Sequence, residues 1–132
     1  MAYFQRVKFL FGLGDAGDDS TQPYSVIAAA STNANLVKIG PGVVTAIHAV
    51  NVTAAAKFLK FYDLRTVPVA GSGTPVRRYG VPGATAGAGF TWQPSIPLKF
   101  SNGIGFTLTG GSADTDTTAL SAGDVILTLE YI

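Results

Sequence analysis

The sequence predicts an all-β protein: a single antiparallel β-sandwich or jelly-roll-like domain over residues 1–132. Three observations lead there. Gly (16) and Pro (7) punctuate the chain at short intervals. No long segment carries apolar residues at helical spacing. Between the punctuation lie short runs of β-branched and aromatic residues bounded by turn formers. At 132 residues the chain has the size of one domain and enough length for one hydrophobic core. It needs no covalent staple and, with no cysteine, has neither disulfides nor thiol chemistry.

Taken in order, residues 4–13 form the first strand-like run, rich in large apolar side chains. The polar, Gly-rich stretch 14–22 (GDAGDDSTQ) isolates it, so that 1–22 reads as an N-terminal strand of the sandwich or as an arm that leaves it. Residues 24–29 and 36–39 are short strands. Residues 43–52 form a long buried strand, with Val44, Ala46, His48 and Val50 assigned to one face by period-two alternation. The best helical candidate, 52–61, is interrupted by β-favouring residues. Residues 57–64 therefore read as a strand, with Phe58, Tyr62 and Leu64 opposite Leu59 and Phe61. Both of its faces are apolar, as expected where a second surface is covered by another sheet or subunit. Shorter strands follow at 76–79, 89–93 and 98–100. Asn102-Gly103 suits a tight hairpin turn before 104–109, where Ile104, Phe106 and Leu108 alternate with Gly105, Thr107 and Thr109. The last strand, 125–131, alternates Val125, Leu127, Leu129 and Tyr131 against Ile126, Thr128 and Glu130.

Charge narrows the function. Only 13% of residues are charged, against roughly 25% in an average soluble domain, and the mean hydropathy is +0.32. A spanning helix does not account for this. The charge-free stretch between Lys38 and Lys57 holds Gly40, Pro41, Gly42, His48 and Asn51, and the one between Arg78 and Lys99 is broken by Pro82, Pro94 and Pro97. The first residues lack the apolar length and cleavage site of a leader, so the chain is expected to be unprocessed and soluble. Surface buried against neighbouring subunits then explains the low charge. A net charge of +1, with only Arg77-Arg78 adjacent among the basic residues, argues against nucleic acid as the main partner.

No residue pattern points to catalysis. His48 is the only histidine and lies mid-strand, where it reads as a packed or interface side chain rather than a general base. Asp15, Asp18 and Asp19 in one loop, and Asp114, Asp116 and Asp124 around another, could offer oxygen ligands to a hard cation. Neither loop has the spacing of a calcium loop, and such residues are ordinary turn formers. GAGF at 87–90 lacks the lysine and context of a phosphate loop. No catalytic residue, cofactor or metal site is therefore expected. Phe90 and Trp92, two apart and so on one face of a strand, have Tyr79 nearby in sequence. Together with Arg77 and Arg78 they are the interface candidates, with core packing or stacking on a sugar as the other uses of such aromatics.

Two stretches, FLKFYDLRTVPVAGSGTPVRRYGVPG (58–83) and IPLKFSNGIGFTLTGGSADTDTTALSAGDVILTLEYI (96–132), resemble a group of small β-sandwich virion proteins of tailed bacteriophages. The shared elements are Lys60, Tyr62 and Asp63; Asn102, Gly103, Ile104, Phe106 and Leu108; Thr109, Gly110, Ala113, Asp114 and Asp116; and Gly123, Asp124 and Val125. Residues before about Leu36 carry none of it. The resemblance implies a non-enzymatic particle component, made in the host cytoplasm and carried on the capsid surface. Its role would be that of a decoration (cement) protein, with the major capsid protein and further copies of itself, as a homotrimer, for partners. The same resemblance allows a structural or receptor- or glycan-binding module of a tail, fibre or collar.

Overall fold

Gly and Pro turns cut the chain into strands that keep changing sheets. The structure, a computed structural model, describes residues 21–132, so the strand or arm expected at 1–22 falls outside it up to residue 20. Among the described residues the strands are β1 (Gln22–Ile27), β2 (Asn35–Ile39), β3 (Gly42–Asn51), β4 (Lys57–Tyr62), β5 (Arg77–Val81), β6 (Ala88–Trp92), β7 (Leu98–Phe100), β8 (Gly103–Thr109) and β9 (Val125–Tyr131). No helix forms among them. All pairings are antiparallel, giving a first sheet ordered β1-β9-β3-β6, with β7 also on β3, and a second ordered β2-β8-β4-β5.

The strand β3 pairs β7 over Gly42–Val44 and β6 over Ile47–Asn51. Together β6 and β7 thus act as one strand interrupted at 93–97, where Pro94 and Pro97 deprive the ladder of donors. Counted so, the two four-stranded sheets have the order of a jelly roll. Only β4 and β5 pair with their sequence neighbour in hairpin fashion; the other connections mostly cross between sheets.

The core lies between the sheets. Val44, Ile47, Leu127 and Leu129 from the first meet Leu59, Phe61, Ile104, Phe106 and Leu108 from the second, all fully buried. At roughly 1.5–3 kcal/mol for each large apolar side chain buried, this layer dominates the stability. Buried Asn51 is satisfied on all sides: its amide donates to Ala55 O and Val81 O, and its oxygen accepts from Thr53 N and Oγ1. Gly89, at φ +146°, lets β6 pass close to β3; a Cβ there would stand 1.9 Å from Ala49 O.

Three sequence expectations change. The face assigned to Val44, Ala46, His48 and Val50 holds only at its start. A bulge between Val44 and Ala46 adds one residue against β9, and thereafter Ile47, Ala49 and Asn51 point inward while His48 and Val50 point out. The Asn102-Gly103 pair is not a hairpin turn, because β7 belongs to the first sheet and β8 to the second. It is a corner between sheets, crowded enough that a Cβ on Gly103 would lie 2.1 Å from Leu64 O. Third, the apolar outer face of β4 is covered by the chain's own loops. Lys60, Tyr62, Thr107 and Thr109 are buried beneath segments 63–76 and 110–118: Pro68 sits against Gly105, and Gly71 against Thr115 and Thr117.

Candidate functional site

Among the described residues, β5 and β6 are the outermost strands of their respective sheets on the same side of the sandwich. Their alternation turns Tyr79, Phe90 and Trp92 into the gap between the sheets, at the rim of the core. The ring of Tyr79 lies edge-on to Phe61 at 5.9 Å and approaches Trp92 at 5.4 Å and Phe90 at 6.2 Å. With Arg78, Gly80 and Thr91 these side chains line a shallow cleft of about 440 Å3. Burial pushes the Tyr79 hydroxyl above its usual pKa, against the opposing pull of Arg77. Arg77 shares the inward face and sits 5.4 Å from the centre of the Phe100 ring, donating weakly to Lys99 O at 3.4 Å. Arg78 points away and grips Asp114 with two parallel bonds, Nε to Oδ1 at 2.5 Å and Nη2 to Oδ2 at 2.6 Å. This pair holds the Asp114 carboxyl below the usual carboxylate range and raises the guanidinium in turn. All five residues singled out from sequence therefore lie on one side of the molecule, three of them in direct contact.

A second surface was invisible in sequence. On the outer face of the first sheet, Ile27, Ile126 and Val50 stand in register across β1, β9 and β3. All three are exposed, by 67%, 41% and 45%. Beside them runs a polar row, Ser25, Thr128, His48 and Thr91, across four strands. The Ser25 and Thr128 hydroxyls share a hydrogen bond at 3.0 Å, and His48 Nδ1 meets Thr91 Oγ1 at 3.4 Å. Neither row holds a carboxylate, lysine or arginine. The signal that could have found it is the sequence of β9 itself, where Ile126 breaks an otherwise polar outward face. Its extension across three strands depends on the bulge in β3.

The acidic residues of the described chain serve the fold. Asp63 accepts from the backbone N–H groups of Ser101, Asn102 and Gly103 at 3.1, 2.7 and 3.2 Å. Burial pulls its carboxyl upward, but those three donors, helped by nearby Arg77, outweigh it and leave the pKa lowered. Asp116 accepts from Gly111 N, Thr118 N and Thr118 Oγ1, closing its own loop, and its carboxyl is likewise lowered against a raising effect of burial. Asp124 caps Ser121 N and pairs with Lys57 at 3.5 Å. The buried ammonium of Lys60 donates to Gly111 O and Ala113 O of the covering loop. Next to it, the buried hydroxyls of Tyr62 and Thr107 have no hydrogen-bond partner among the described residues. No group of three or more His, Asp or Glu able to hold a metal ion occurs among the described residues; Asp15, Asp18 and Asp19 lie outside them. Nor does any helix there have the length and apolarity to cross a membrane.

Comparison with known protein families, curated proteins and solved structures found no significant match to this chain.

Proposed function

We propose that this chain is a non-enzymatic structural protein of a tailed-bacteriophage particle: a capsid decoration (cement) protein that binds the assembled head as a homotrimer. The observation that carries this reading is the difference between the two outer faces of the sandwich. One is sealed by the chain's own loops, down to a buried lysine. The other presents Ile27, Ile126 and Val50 beside a row of uncharged polar groups, the kind of surface that protein partners cover. A protein that binds only the assembled shell, through the major capsid protein, stabilises that shell by mass action. The resemblance of residues 58–83 and 96–132 to small phage virion proteins supplies the particle. The jelly roll does not choose on its own, since capsid proteins, lectins and cupins all use it. That the described carboxylates are committed to backbone donors and cations supports a structural role over acid–base chemistry.

The aromatic cleft at the β5/β6 edge favours one other reading, a receptor- or glycan-binding module of a tail, fibre or collar, because sugars stack on such rings. Copy number in purified virions, measured against the major capsid protein by quantitative mass spectrometry, separates the two. Cement gives a ratio near one or a simple fraction of it. A tail or collar protein is present in a few to a few tens of copies, and its glycan binding should vanish in Trp92→Ala with the fold intact. Absence from the particle refutes both.

A further inference from the structure

At the end of the sandwich where β3 begins, two ammonium groups share one shallow cleft of about 340 Å3. Lys38 and Lys99 line it, with Pro41, Val43, Phe100 and Ile132 as apolar walls. Gly42 makes room for the first lysine. A Cβ there would stand 2.9 Å from Lys38 Cδ and 2.8 Å from Ile132 O, so its absence lets the lysine stem lie down on the start of β3. Among the described residues neither ammonium has a carboxylate within ion-pair distance, and every Asp and Glu is bonded to some other group. Ile132 O, the acceptor nearest at hand, is taken by Val43 N at 3.0 Å. Two like charges around one cleft repel, and an anionic occupant relieves that cost. The occupant that fits carries several carboxylates on small residues.

The chain delivers such a segment to this very end. Residues 14–19, GDAGDD, hold Asp15, Asp18 and Asp19 with only Gly and Ala between them and no cation. They lead into β1, whose first residue Gln22 pairs with Tyr131, and Tyr131 pairs on its other side with Val44. Gln22 therefore stands at the cleft's end of the sheet, roughly 10 Å from β3 across two strand spacings, with β7 one spacing further. Extended chain from Gln22 carries Asp19 up to about 10 Å and Asp15 up to about 24 Å, which covers both lysines. So short a tether holds the aspartates over their own cleft at an effective concentration on the order of millimolar, above what a second copy supplies in dilute solution.

We propose that residues 15–19 fold back across the Lys38/Lys99 cleft of their own chain, with the aspartates paired to the two ammonium groups. The segment then works as a strap over this end of the sandwich and sends residues 1–13 off from the β7 side of the sheet rather than outward from β1. The inference goes beyond the particle reading and holds with or without it.

Carbodiimide, which joins a carboxylate to an ammonium group in direct contact, tests it on the full-length protein free of any particle. After reaction the monomer band of a denaturing gel is digested with chymotrypsin, which cuts at Tyr24 between the aspartates and Lys38. Mass spectrometry should find residues 15–19 joined to Lys38 or Lys99, and within the monomer band both halves come from one chain. Changing all three groups, Asp15→Asn, Asp18→Asn and Asp19→Asn, should speed acetylation of Lys38 by limiting N-hydroxysuccinimide acetate at least threefold. Lys57, paired with Asp124, should react as before. Crosslinks found only in a dimer band place the segment on a neighbouring copy and overturn the proposal. So do crosslinks that avoid both lysines, the absence of crosslinks, or acetylation of Lys38 that ignores the triple substitution.

Discussion

Asp63 does for the corner between β7 and β8 what a hairpin ladder does elsewhere. A strand that leaves one sheet for the other carries its backbone donors away from any neighbour, and unmet donors near a core cost free energy. One carboxylate collects three of them, from Ser101, Asn102 and Gly103. Asp63→Ala should therefore destabilise the protein by about 1–3 kcal/mol, read as a lower urea midpoint with unchanged slope, whereas Asp63→Asn, which keeps an acceptor, should lose less. An alanine variant as stable as the parent would mean that water replaces the carboxylate without loss. Sequence alone marks both partners, since Asp63 follows the strand-forming run and Asn102-Gly103 is a turn-forming pair. It does not reveal that they meet, because nothing local links positions 39 and 40 residues apart. The same holds for Arg78 and Asp114, and for Lys60 and its two loop carbonyls. At this scale the residue types were legible and their partners were not.

At the scale of elements the position is reversed. Strand bounds follow from local chemistry, β-branched and aromatic runs ended by Gly, Pro and Asn, and the described strands fall within a residue or two of the sequence expectation. Faces and coverings depend on neighbours. One extra residue at the bulge of β3 turns His48 and Val50 outward, and thereby creates the apolar row with Ile27 and Ile126. Period-two reading cannot see an insertion of that kind, because it is defined only against β9. The loops over the second sheet were equally hidden, since loops are expected to run over solvent rather than to roof a lysine. Lys60 makes that roof testable. Its ammonium joins β4 to Gly111 and Ala113, and Lys60→Met keeps the length of the side chain while removing its donors. Amide hydrogen exchange over residues 110–118 should then speed up at least tenfold, with β8 and β9 little changed. Uniform exchange throughout would show that Asp116 holds the loop without Lys60.

For the whole molecule, the consequence of these local ties is a stability that depends on pH in a fixed direction. Asp63, Asp114 and Asp116 all have folded-state carboxyls below their ordinary value, while in the unfolded chain they titrate near 3.9. Between the unfolded value and the lower folded ones, the unfolded chain binds more protons, so stability falls as pH drops through that window and is fully present above it. Tyr79 acts in the opposite sense: its raised value lets the unfolded chain lose a proton first, so its contribution is complete below about pH 10 and declines above. The melting temperature should be level from about pH 5 to 9, fall steeply below about pH 4, and fall again in strong alkali. The acid limb should have two parts that salt separates. Arg78 and Asp114 are paired in solvent, and about 0.5 M salt should erase most of their share. The share of Asp63 comes chiefly from three backbone hydrogen bonds and should persist. In Asp63→Asn the plateau should be lower and the acid limb shallower, because the group that titrates is gone. Calorimetry from pH 2.5 to 9 at low and high salt measures both. A melting temperature unchanged down to pH 3 would mean that these carboxylates are held no more tightly in the folded protein than in the open chain.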